Sequence, residues 1–125
     1  MIQPRSVLTL ADNTGAKKLR VHLVHGGSKR RFGSIADVVS ASVIDASPDC
    51  QLPPGSKVKA VIVRTRQPFR RRDGSRIRFD DNAAVILEQV AGSKNPMATR
   101  VFGPIAREIK EAGYSKIASL AEEVL

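Results

Sequence analysis

Short apolar runs broken by turn residues mark the chain as far as residue 88. Residues 6–11, SVLTLA, read as a first strand, and the cluster Asp12-Asn13-Thr14-Gly15 as the turn that ends it. Over residues 18–25, Leu19, Val21 and Leu23 alternate with Arg20, His22 and Val24, which predicts a second strand with one wet face. Residues 38–46, VVSASVIDA, are rich in β-branched side chains and predict a third. The prolines of residues 48–56 break any ladder there. Residues 57–65, KVKAVIVRT, form a run apolar enough for a strand buried on both faces, and residues 83–88, AAVILE, close the set. Five or six short strands at regular spacing argue for a small barrel.

Between the last two runs lies the segment RTRQPFRRRDGSRIRFDDN, residues 64–82. Asp73-Gly74 is a hairpin signal, expected as a tight two-residue turn in which Gly supplies positive φ without steric cost. Beyond it Ile77 and Phe79 alternate with Arg76 and Arg78, so one face of the returning strand is apolar and the other charged. Seven arginines, Arg64, Arg66, Arg70, Arg71, Arg72, Arg76 and Arg78, stand against one acid, Asp73, between Arg64 and Arg78. Arg71 and Arg76 lie near the hairpin tip and are expected to be solvated in the free protein. Like charges at this density repel, and an anionic partner removes the repulsion. The planar guanidinium fork suits phosphate better than a lysine point charge. The plainer alternative is a solvated charged strand.

The pattern changes after residue 91. Gly103-Pro104-Ile105 predicts a helix opening with Pro at its first position; Ile105, Ile109 and Ala112 share a face, and Gly113 stops it. Ser119 and Glu122 have capping-box spacing, which predicts a second short helical turn. The chain therefore reads as one domain over residues 1–125, a barrel over about 1–91 and a helical segment over about 92–125.

Composition sharpens the choice of partner. The net charge of +9 points to nucleic acid first and an acidic membrane surface second. No apolar run approaches the roughly 20 residues of a membrane-spanning helix. The opening residues lack the layout of a secretion signal or a transit peptide. The single Cys50 excludes an internal disulfide framework and fits a reducing cytosol. His22 and His25, three apart on a strand, are expected on opposite faces and so make poor joint metal ligands. Asp80 and Asp81, as strand neighbours, do not form an acid–base pair, and no Ser, His and Asp set suggests a nucleophile. No metal, cofactor, small-molecule substrate or catalytic activity is expected.

Gly26-Gly27-Ser28-Lys29-Arg30-Arg31 resembles a nucleotide cradle only loosely and reads better as a bend that presents Lys29, Arg30 and Arg31 to phosphates. With four Phe, one Tyr and no Trp there are too few rings for a single-strand stacking platform, although Phe32 and Phe69 lie in basic segments. Recognition of folded RNA through phosphates and 2′-hydroxyls fits better. Two rivals are a free single-strand-binding RNA chaperone, which needs more exposed rings, and a small hydrolase, which needs a titratable cluster.

The segments ADNTGA at 11–16, GGSKRRF at 26–32, KAVIVRT at 59–65, RRDGSRIRFDDNAAV at 71–85, TRVFGPIARE at 99–108 and KIASLAEEVL at 116–125 carry a further observation. In order and length they resemble the family of the fourteenth protein of the large ribosomal subunit, in its bacterial form. The resemblance implies a mostly β fold, a small five-stranded barrel with a protruding arginine-rich hairpin and one or two short C-terminal helices. It implies binding to large-subunit ribosomal RNA and a place in the cytoplasmic ribosome at the subunit interface. There it implies inter-subunit bridges to small-subunit ribosomal RNA, and contact with the third and nineteenth large-subunit proteins. A ribosome silencing factor is implied as a further partner, docking where Thr99, Arg100 and Lys116 stand. Three positions depart from the family's pattern: Arg72 and Glu122 stand where it has Pro, and Ala98 where it has Gly. Arg72 adds charge to the arm, Ala98 bears on the loop at 96–99, and Glu122 is expected to act as a helix cap with neutral effect.

Overall fold

The computed structural model describes residues 2–27, 31–48, 52–89 and 92–125. Five strands close into a barrel: β1 (Val7–Leu10), β2 (Ala16–Val24), β3 (Val38–Ala46), β4 (Lys57–Arg64) and β7 (Ala83–Ile86). Successive strands pair antiparallel, and the barrel is sealed by a parallel pairing, Thr9 with Ala83 and Leu10 with Ala84. The period-two pattern explains the interior. Leu8, Leu19, Val21, Val39, Ala41, Val43, Ala60, Ile62 and Ile86 alternate inward, and Ile2 joins them through its pairing with Gly33. Between β4 and β7 a two-stranded arm branches out, β5 (Phe69–Arg70) and β6 (Arg76–Ile77).

β2 departs from strict alternation. A bulge between Val21 and Leu23 shifts the register. Val24 is therefore fully buried and Leu23 half exposed, the reverse of the expected faces. One extra residue on a strand flips every side chain beyond it. The bulge also puts both histidines outside. His22 Nε2 meets Ser42 Oγ, and His25 Nε2 lies 2.6 Å from Ser40 Oγ, on the same outer face of β3 rather than on opposite faces.

β4 begins with outward lysines and ends buried on both sides. Its outward Val61 and Val63, with Ala83, Val85 and Leu87, form the floor of a second core. Val101, Ile105, Ile109, Tyr114 and Ile117 from the C-terminal segment cover that floor. At about 1.5–3 kcal/mol for each large apolar side chain buried, these five anchors hold the segment to the wall.

The segment itself differs from the expected helix. Residues 101–105 are extended as β8 (Val101–Ile105), paired in parallel with β9 (Ala121–Val124). Gly103 has φ +76°, and its N–H donates to Glu122 Oε2 at 3.2 Å. The Pro-first signal was outweighed by this pairing and by burial of Val101 and Ile105 at its ends. Helix α1 (Glu108–Glu111) is a single turn and α2 (Ser115–Leu120) is little longer. Gly113, at φ +98°, ends α1 as expected, while Ala112 is exposed rather than on the buried face. Ser119 sits inside α2, so the capping box with Glu122 does not form; Glu122 serves the β8 backbone instead. Ala98 is buried at ordinary negative φ, and its loop is held by Met97 N–H to Ile86 O at 3.0 Å.

Candidate nucleic-acid interface

The arm is short and its turn is built from side chains. Arg71 N–H donates to Ser75 O at 2.8 Å, and Gly74 N–H returns to Arg71 O at 3.0 Å. The loop is thus the three residues Arg72, Asp73 and Gly74, not two, and among them only Gly74 has positive φ. Asp73 Oδ1 accepts from Ser75 N at 2.9 Å and Ser75 Oγ at 2.6 Å. These bonds hold the Asp73 carboxyl below its ordinary range, with the Arg71 charge adding to them. At the arm's base Phe79 N–H donates to Thr65 O, and Arg66 N–H to Asn82 Oδ1 at 2.8 Å.

The seven arginines then divide. Arg66, Arg70, Arg72, Arg76 and Arg78 are exposed. Phe69 pairs across the arm with Ile77, both half-buried, which turns the next pair, Arg70 and Arg76, toward solvent directly opposite each other. Like charges at opposed ladder positions destabilise a sheet.

Arg64 is different. It ends β4 at 9% exposure. Its Nε donates to Asp81 Oδ1 at 3.0 Å, and its terminal nitrogens reach Asp81 Oδ2, Phe102 O at 2.9 Å and Pro104 O at 3.2 Å. This guanidinium joins barrel, arm base and β8 from inside. Arg71 is also drawn inward, its side chain 14% exposed. Its Nε lies 3.0 Å from Glu108 Oε1, an ion contact whose angle falls short of a hydrogen bond. Its terminal nitrogen donates to Leu125 O, and its guanidinium lies over the Phe69 ring at 6.0 Å. The expectation that Arg71 is a solvated tip residue is overturned: it latches the arm to α1 and the chain beyond β9.

The basic loop is partly outside the described residues, Lys29 and Arg30 among those outside it. Its flanks bend through Gly26 and Gly27, both at positive φ. Arg31 is exposed, and Phe32 is 51% exposed, the most open ring among the described residues.

The turn after β1 carries roles beyond reversal. Asp12 is buried; Oδ1 accepts from Thr14 N and Oγ1, and Oδ2 from Ile86 N at 2.9 Å. Its carboxylate continues the parallel β1–β7 ladder after the backbone has turned away. Burial raises its pKa above the ordinary carboxylate value, against the lowering effect of these bonds. Asn13 serves the other side. Its Oδ1 accepts from Thr99 N and Arg100 N, each at 3.1 Å, and its Nδ2 donates to Thr99 Oγ1 at 3.0 Å. Thr99 and Arg100 are thereby fixed in position and exposed. Lys116 is exposed on α2, tied to the same region by the pairing of Val101 with Ala121. Among the described residues no direct contact joins Lys116 to Arg100. Nothing but an Asx-type turn signal at Asp12 pointed to these roles in the sequence.

A family model described as "Ribosomal protein L14p/L23e" matches residues 1–125.

Proposed function

As a member of the ribosomal protein L14p/L23e family, to which this chain belongs over its whole length, the protein is a structural, RNA-binding component of the large ribosomal subunit, and we propose how its surfaces are divided. The exposed arginines Arg66, Arg70, Arg72, Arg76 and Arg78, with Arg31 and its neighbours Lys29 and Arg30, bind phosphates of large-subunit ribosomal RNA. The observation that carries this reading is the opposed pair Arg70 and Arg76, exposed face to face and, among the described residues, in no ion pair. A phosphate placed between two guanidinium groups turns that repulsion into attraction. Arg64 and Arg71 act from within, fixing the arm's direction.

Thr99, Arg100 and Lys116 form the partner-facing surface, beside the exposed Met97 and Phe102. A charged group beside a small apolar patch on a rigid backbone suits protein docking. Here the ribosome silencing factor and the third and nineteenth large-subunit proteins are the candidate partners, with small-subunit ribosomal RNA across the joint and the cytoplasmic ribosome as the setting. The protein does no chemistry of its own; it holds RNA strands together and acts as one unit.

The test is retention of Arg70→Ala/Arg76→Ala protein on large subunits pelleted through a sucrose cushion at rising salt. Release at lower salt than the parent is expected, since each phosphate ligand removed weakens binding. Unchanged release would remove the arm from the RNA interface. For the second surface, Arg100→Ala/Lys116→Ala is expected to enter subunits normally yet lose the silencing factor or alter subunit joining. Failure to enter subunits would move these residues into the RNA-binding set.

A further inference from the structure

The opposite end of β4 from the arm carries a second cationic feature. Lys57 and Lys59 project outward from the first half of β4, and their ladder partners on β3 are Ser42 and Ser40. On the far side of β3, Ser42 pairs with Arg20, and Ser40 with Leu23. His22 and His25 lean across from β2 onto these same two hydroxyls. Two parallel rows therefore cross the outer sheet, each with a small serine in the middle and long side chains at the sides. The low serines leave a trough of about 460 Å³ lined by His22, Ser40, Lys57, Lys59 and Gln89, with Ala41 and Val58 as its apolar part. Gln89 closes its end, Oε1 accepting from Lys59 N and Nε2 donating to Leu87 O.

No carboxylate lines the trough. Among the described residues none forms an ion pair with Arg20, Lys57 or Lys59. The rows lie two residues apart, about 6.6–6.8 Å along an extended strand, a step close to that between successive phosphates of one nucleic-acid strand. Lys57 stands seven residues from Arg64, about 23 Å along β4, so the trough is separate from the arm.

We propose that this trough on the outer face of β2, β3 and β4 is a second RNA site, which seats the backbone of one RNA strand. Lys57 and Lys59 contact successive phosphates. Ser40 and Ser42, already bonded to the histidines, offer hydroxyls to the sugar edge, and Arg20 extends the cationic border. Charge complementarity selects the occupant: a lining that holds two lysines and no carboxylate, with serine and histidine hydrogen-bonding groups beside them, suits a phosphodiester chain.

The full chain with Lys57→Gln/Lys59→Gln is compared with Arg70→Ala/Arg76→Ala and with all four changes, using purified large-subunit ribosomal RNA as the probe. The slope of log affinity against log salt is measured for each. Removing the ligands of two phosphates on a single strand lowers its magnitude by about 1.4. The lysine pair is expected to show that fall, to melt like the parent, and to add to the effect of the arm pair. A slope unchanged by the lysine pair while the arm pair lowers it overturns the trough and leaves the arm intact. The converse keeps the trough and removes the arm. In assembled large subunits, Lys57 and Lys59 are expected to resist acylation and to react after nuclease digestion of the RNA. Reaction in intact subunits, or protection that survives digestion, overturns the proposal, the latter in favour of a protein cover.

Discussion

Replacing Arg64 by Ala separates a joint inside the protein from a contact with RNA. The parent guanidinium makes four hydrogen bonds, two to the Asp81 carboxylate and two to the carbonyls of Phe102 and Pro104. Alanine leaves those carbonyls facing a void in a half-buried seam. A hydrogen bond from a charged donor contributes about 1.5–3 kcal/mol, and a buried acceptor left unpaired costs about 1–3 kcal/mol. Asp81 is 43% exposed in its side chain, so water recovers much of that half of the loss. A net destabilisation of about 2–4 kcal/mol follows. With an unfolding entropy of about 2.1 cal/mol/K per residue, a chain of 125 residues loses roughly 4 °C per kcal/mol. Calorimetry of the free protein is expected to show Tm lower by roughly 8–16 °C. Arg64→Lys keeps the charge but has no fork to span carboxylate and carbonyls, and it is expected to recover less than half of that fall. A surface phosphate ligand behaves otherwise, its removal changing stability by no more than about 0.5 kcal/mol. A Tm within about 2 °C of the parent, together with weaker RNA binding, would refute the internal role.

Arg71→Ala and Arg76→Ala provide a matched pair: the first is expected to lower stability by about 1–2 kcal/mol by releasing Glu108 and Leu125 O, the second to leave Tm unchanged and reduce the salt slope of RNA binding by roughly 0.7–0.9. Equal melting of both variants in thermal denaturation would show that the latch to α1 carries no energy. Asp12 governs part of the response to acid. Its folded pKa is raised, so the native state binds more protons than the unfolded chain between 3.8 and the raised value, and the Asp12 contribution falls as pH rises through that window. Asp12→Asn should abolish this part of the pH dependence and cost about 1–3 kcal/mol at neutral pH, because an amide offers one acceptor oxygen where two are used. Urea unfolding at a series of pH values checks it, and identical pH profiles for parent and variant would contradict the assignment. Asp73, lowered and fully exposed, acts with the opposite sign, its contribution being lost as pH falls below 3.8 through its own folded value.

Barrel strands were legible because their pattern and their burial obey the same period. β3 was read at its observed bounds, and β4 within one residue of its end. Alternation failed where geometry changed without a change in composition. The bulge in β2 has no marker, since Val, His and Leu suit either register, so the faces of Leu23 and Val24 were exchanged. Around Gly103-Pro104 the local signal favoured a helix start, but β9 lies about twenty residues away and supplied the pairing that decided the matter. Local propensity carries no information about so distant a partner. Within the arm, composition showed seven equal cations. The fold made them unequal, because Arg64 begins where β4 is still buried and Arg71 falls on the side of the arm that faces α1.

That inequality bears on how the protein works. An arm of two residues per strand has too few ladder bonds to hold its own direction in water. Arg64 anchors its base to β8, and Arg71 ties its outer part to α1 and to Leu125. β8 is in turn bound to the turn after β1, through Phe102 N–H to Ala11 O, and Asn13 there fixes Thr99 and Arg100. Exposed arginines and the partner-facing residues thus hang on one connected set of polar contacts. Gly103 lies at its centre: at φ +76° an added methyl group would be strained, and it would collide with Arg64 Nη1. A change that loosens the joint at Arg64 is therefore felt on both surfaces, since each surface owes its position to the same β8 backbone.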